Sequence, residues 1–160
     1  MRRLPLLYLE TSIFGFYLDS EPRNALRREA VATLLKQVRL GVLAAVTSAV
    51  TLDEVSRSPE PVRSRLLILL DDVGAIQADR PEVERLARAY VQNGVIPEGS
   101  LDDARHVAYA TVGKADILVS LNLRHIANER AERRIGAVNL REGYGLLRVK
   151  TPEEVLRYED

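Results

Sequence analysis

Apolar and polar positions along this chain fall into two kinds of run. Short, mostly apolar stretches at 6–9, 42–46, 75–78, 117–120 and 146–149 have the length of buried strands. Between them, apolar residues recur at helical spacing. Leu26, Ala30, Leu34 and Val38 mark a helix starting at Arg23, and Val83, Leu86, Ala87 and Tyr90 mark another opened by Asp79-Arg80-Pro81. A short helix through Leu52 and Val55 follows Thr47-Ser48, which has the chemistry of an N-cap, and stops before Pro59. Two more helices are expected over 61–70 and 100–112, and Gly41 and Gly74 stand where helices end. Thr151-Pro152-Glu153-Glu154 has the spacing of a capping box at the start of a terminal helix. The stretches 16–22 and 94–99 read as loops. The polar, arginine-rich stretch 122–134 reads as loop plus a short helix.

Strands alternating with helices give a parallel sheet covered on both faces, because parallel strands need long crossovers and these are helical here. The expected fold is a three-layer α/β/α sandwich of Rossmann-like type, as one domain over residues 1–160. No internal repeat or low-complexity linker interrupts it.

Composition then removes several chemistries. The chain has no cysteine, which excludes disulfides, thiolate catalysis and sulfur-ligated zinc. His106 and His125 are its two histidines, too few for a histidine-rich metal centre, and each reads as a hydrogen-bonded packing residue. Any metal would have to be a hard cation held by carboxylates, magnesium or manganese. Formal net charge is zero, yet only Lys36, Lys114 and Lys150 among the 23 basic residues are lysines. Arginine binds phosphate as a bidentate fork, so the bias is compatible with nucleic acid, but genomic base composition or heat tolerance is the preferred explanation. No apolar run reaches membrane-spanning length, and a cytoplasmic location is the expectation.

Four places along the chain carry acids worth weighing. Glu10 stands where the first strand should stop, followed by the hydroxyls of Thr11 and Ser12. A charge there needs a partner, and the carboxyl ends of parallel strands are where ligands bind. Glu54 lies in the helix after the second strand, and periodicity does not separate it from Asp53. Of Asp102 and Asp103, both in the first turn of their helix, Asp103 aligns with Val107 and Ala110 at the margin of the apolar stripe. Asp102 falls on the other side, near His106 and Tyr109. Asp116 precedes its strand, whereas Ser120 and Asn122 follow it, on the same edge as Glu10. Carboxylates brought together repel, and a divalent cation relieves the repulsion while activating water and neutralising phosphate.

Four blocks taken together resemble a known family. Leu7-Tyr8-Leu9-Glu10-Thr11-Ser12-Ile13, Thr47-Ser48 through Asp53-Glu54-Val55, Asp103-Ala104-Arg105-His106-Val107-Ala108 and Asp116 through Ile126 are similar to the PIN domain, in its VapC-like toxin branch. The resemblance implies an α/β/α fold and a magnesium- or manganese-dependent endoribonuclease. It puts the first three acids of the site on Glu10, Glu54 and Asp103, and the fourth ligand on Asn122 or Asp116. Thr11, Ser12 and Ser120 would support them. The family's first acid is usually aspartate, so Glu10 is a departure. An RNA substrate, a small antitoxin protein and a homodimer are further expectations of the resemblance. The alternative is a non-catalytic RNA-binding or regulatory module with a degraded metal site. A phosphatase of the haloacid dehalogenase type needs Asp-x-Asp after the first strand, which Glu10-Thr11-Ser12 does not supply.

Overall fold

A computed structural model describes residues 3–157. It is an α/β protein with a five-stranded, all-parallel sheet flanked by helices, in the expected three layers. The strands are β1 (Leu6–Leu9), β2 (Ala44–Thr47), β3 (Gly74–Ala75), β4 (Ile117–Val119) and β5 (Arg148–Lys150). Their spatial order is β3-β2-β1-β4-β5. The chain therefore leaves β1 on one side to build β2 and β3, then returns to place β4 on its other side. That reversal makes the crevice beyond the carboxyl ends of β1 and β4 the topological switch point, where open parallel sheets bind ligands. Register aligns Leu9 with Val119, so Glu10 and Ser120 leave the sheet side by side.

Alternation along the strands splits the core into two. Leu7, Leu9, Ile117 and Val119 face α1 (Thr11–Tyr17), α2 (Ala25–Arg39) and α4 (Val62–Leu70), with α8 (Pro152–Arg157) beside them. Tyr8, Leu118 and Val149 face α5 (Arg80–Gln92), α6 (Leu101–Val112) and α7 (Glu129–Arg141). The remaining helix, α3 (Ala49–Ser56), follows β2 and is capped by Ser48, whose hydroxyl accepts from the Val50 amide. Among the described residues no helix is long and apolar enough to cross a membrane.

Several local expectations are corrected. The stretch expected to be a loop from residue 16 instead begins inside α1, which follows β1 without a break. In α2 the buried line is Val31, Leu34 and Leu35, while Leu26 is exposed, because the helix starts only at Ala25 after a 3-10 turn over Pro22–Asn24. The third strand is just two residues at the sheet edge, Gly74–Ala75, paired with Val46 and Thr47. Most consequential is α7. The stretch expected as loop plus short helix runs instead into a thirteen-residue helix that continues to Arg141, capped by the Asn128 side chain on the Ala131 amide at 2.8 Å. The Thr151–Glu154 capping box is present, with reciprocal bonds of 3.0 and 3.3 Å.

Candidate active site at the carboxyl edge of the sheet

Glu10 ends the central strand and itself caps α1. Its Oε2 accepts the Ser12 amide at 2.9 Å, while Oε1 accepts the hydroxyls of Ser12 at 2.5 Å and Ser120 at 2.6 Å. Both hydroxyls are oriented from behind: Ser12 Oγ accepts the Leu121 amide and Ser120 Oγ accepts the Asn122 amide, each at 2.9 Å. Glu10 is 5% exposed, so these donors replace the water that its charge gave up.

Glu54 projects from α3 toward α6, while its neighbour Asp53 turns to solvent and pairs with Arg57. Glu54 Oε1 accepts the Thr11 hydroxyl at 3.0 Å and lies 2.6 Å from His106 Nε2. The other ring nitrogen, Nδ1, lies 2.7 Å from the Tyr8 hydroxyl, which is 2.6 Å from Ser48 Oγ. Burial first, with the charges of Glu10 and Glu54 behind it, pushes the Tyr8 hydroxyl far above its ordinary range, so it keeps its proton. Both ring nitrogens of His106 thus have a partner, the Glu54 carboxylate at Nε2 and the Tyr8 hydroxyl at Nδ1. His106 is buried and hydrogen-bonded, as expected of a packing residue, but one of its partners is a candidate site acid.

Asp103 opens α6. The Ser100 hydroxyl makes no cap bond, because the 3-10 turn Glu98–Ser100 runs directly into the helix. Asp103 instead turns to the loop after β4, where Oδ2 accepts Asn122 Nδ2 at 3.1 Å and lies 3.2 Å from His125 Nδ1. Asp102 pairs with Arg57 and Arg105, at 3.2 and 2.9 Å. These arginines hold its carboxyl below the usual range despite the opposing cost of burial. The two side chains diverge, Asp103 to the loop after β4 and Asp102 to Arg57 and Arg105, but the helical wheel misjudged the side on which Asp102 lies. His106 and Tyr109, expected near an outward face, are as buried as Val107, because α6 packs under α5 and α7 as well as the sheet.

Asp116 lies at the opposite end of β4. It accepts the Leu6 amide at 2.7 Å and pairs with Arg3 at 3.2 Å, closing the amino edge of the sheet. Of the two candidates for the fourth position, only Asn122 stands beside Asp103. Asp116→Ala is expected to cost about 1–2 kcal/mol by orphaning the Leu6 amide. Any activity of the protein should be unchanged, and melting together with an activity assay checks both halves.

The four residues brought together form one hydrogen-bonded circuit. It runs from Asp103 through Asn122 and Ser120 to Glu10, and along the backbone to Thr11, whose hydroxyl meets Glu54 and His106. His106 sits three residues after Asp103, on the neighbouring turn of α6, so Glu54 approaches the same helix face. Glu54 and Asp103 are each about a quarter to a third exposed, at 30% and 24%. In each, one oxygen is held by protein donors, leaving the other (Glu54 Oε2, Asp103 Oδ1) with no protein hydrogen bond among the described residues. Among the described residues, no three His, Asp or Glu side chains close around a single point. The donors nevertheless fit magnesium or manganese in kind. They are hard oxygens tethered from behind, and magnesium is ordinarily held by one or two carboxylates with water and substrate phosphate completing its shell.

The sequence did not single out Tyr8 and assigned Ser48 only a capping role; the one available signal was a phenol inside an otherwise aliphatic run. No family model matches this chain, and no curated protein matches it either.

Proposed function

We propose that this protein is a metal-dependent endoribonuclease of the PIN type, working at the carboxyl edge of β1 and β4. The observation that carries the reading is the circuit joining Glu10, Glu54, Asp103 and Asn122 at the switch point, with one unbonded oxygen on each of the two most exposed acids. Glu54 and Asp103 would hold the cation through those oxygens. Glu10, its oxygens engaged, would add charge and act through an intervening water. When bound, magnesium or manganese supplies Lewis acidity toward phosphate and lowers the pKa of a coordinated water.

The remaining work falls to the chain's own groups. His106 and Thr11 hold Oε1 of Glu54, which aims Oε2 outward. Asn122 and His125 do the same for Asp103. Ser12 and Ser120 hold Glu10 in place between α1 and the loop after β4. Such tethering keeps the geometry in place before substrate arrives, which is the main contribution a protein makes to phosphoryl chemistry of this kind.

The test is cleavage of single-stranded RNA. Purified protein with manganese or magnesium should cut it, and excess chelator should reduce the rate to background, with recovery on adding metal back. Cutting that persists in chelator would refute the metal-dependent reading. One observation favours a second reading, a non-catalytic RNA-binding module: each carboxylate already has protein donors and, among the described residues, no three converge. That reading requires RNA binding with no metal-stimulated cleavage.

A further inference from the structure

Open depressions lie on either side of the acid circuit, and their charges differ. One, of about 400 Å3, holds Asp53, Glu84 and Asp102 against Arg80 and Arg105. Its acids are largely spoken for, since Arg105 pairs with Glu84 at 2.7 Å and with Asp102 at 2.9 Å, and Arg57 reaches Asp102 from outside. The other, of about 370 Å3, runs between the loop after α5 and the start of α7. Arg124, Arg130 and Arg134 line it against a single acid, Glu98. His125, which contacts Asp103, also lines it, so this groove opens directly onto the circuit.

The three arginines have distinct roles. Arg134 donates to the Gly94 carbonyl at 2.8 Å and to the Asn93 carbonyl at 3.5 Å, pinning one wall to α7. Arg124 and Arg130 are exposed and meet no carboxylate among the described residues. Among the described residues these two guanidinium groups beside the circuit meet no acid, whereas Arg57 and Arg105 on its other side are paired. Val95 and Pro97 give the opposite wall an apolar surface. Cations on one side and an apolar wall on the other match a single polynucleotide strand, with phosphates on the guanidiniums and bases against the wall.

We propose that the groove between residues 94–98 and the start of α7 is the path by which single-stranded RNA leaves the acid circuit, with Arg124 and Arg130 each holding a phosphate. The strand then runs over α7 and avoids the α5–α6 side. This rests on the ribonuclease reading for the identity of the strand, but its test is a binding measurement independent of cleavage.

A short, labelled, unstructured RNA is titrated with the full chain in chelator, across a series of salt concentrations. Arg124→Gln/Arg130→Gln is compared with the parent and with Arg57→Gln, an exposed arginine on the other side. The double variant should bind roughly tenfold or more weakly, and its salt slope should be shallower by about 1.4, two phosphates at about 0.7 each. Arg57→Gln should bind like the parent. Both variants change exposed side chains, and matching melting curves would show that folding is intact. Parent-like binding by the double variant, equal losses in Arg57→Gln, or no RNA binding by the parent would each overturn the path. So would tighter binding of duplex RNA, or an equally tight, equally sensitive complex with an acidic peptide. If the double variant loses binding while the parent never cleaves, the groove stands and the ribonuclease reading falls. Metal-dependent cleavage with unchanged binding in the double variant gives the reverse.

Discussion

Asp103→Asn is expected to lower metal-dependent RNA cleavage by roughly a thousandfold or more, because it removes a full negative charge from the group proposed to hold the cation. The substitution is nearly isosteric. The amide it introduces would still offer an oxygen to Asn122 or His125, so the loop after β4 keeps its anchor. Stability should hold or rise slightly, since one of several neighbouring carboxylates has been neutralised. Glu54→Gln should behave alike, with its amide oxygen still accepting from His106. The adjacent acid supplies the control. Asp102→Asn weakens an exposed pair with Arg57 and a half-buried one with Arg105 and should leave cleavage near the parent value, with a stability change of about 1 kcal/mol. Three single-charge changes on neighbouring helices thus have opposite expected outcomes. Rates measured under manganese saturation, with melting curves alongside, separate them. Parent-like rates in Asp103→Asn and Glu54→Gln would mean that the acids at this edge do not perform the reaction.

How much of this arrangement was legible in the sequence varies with the physics involved. The parallel sheet and its crossovers followed from apolar runs and caps, since burial on both faces leaves an unmistakable pattern at β1 and β4. The carboxyl-edge placement of Glu10, Glu54 and Ser120 followed from it directly. α7 was only partly legible, because its buried face is Ala131, Ile135, Gly136, Val138 and Asn139 set among arginines and glutamates, and two small residues plus one polar residue weaken the period. Glu54 and Asp53 could not be told apart. α3 is only eight residues long, and what separates its two acids is the position of His106 on a different helix. The tethering residues were placed at this edge by strand order and by resemblance, but the bonds they make were not legible, for the same reason. Ser12, Ser120 and Asn122 are ordinary polar residues until the fold brings positions more than a hundred residues apart within hydrogen-bond reach.

Glu10→Gln is expected to lower the thermal midpoint by roughly 5–15 °C, the equivalent of about 2–4 kcal/mol in a chain of this length. Three donors converge on the carboxylate, and two of them are hydroxyls whose own oxygens already accept backbone amides. Each hydroxyl therefore has its proton aimed at Glu10 and little freedom to turn it elsewhere. An amide at that position sets an N–H group against a donor on one side, and the buried site offers it no water. Glu10→Asp tests a different property. It keeps the charge but draws the carboxylate back by about one C–C bond, too short to cap α1 and reach Ser120 together, so an intermediate loss of about 1–2 kcal/mol is expected. The longer side chain at this position thus has a local cause: it spans from the end of β1 to the hydroxyl at the end of β4. Melting in excess chelator is the decisive condition, because these losses arise from hydrogen bonds within the protein and should persist in full without metal. If Glu10→Gln melts like the parent in chelator but loses metal-induced stabilisation, Glu10 is a direct ligand and the serine cradle is incidental. If it melts lower with and without metal, the cradle is what gives Glu10 its place.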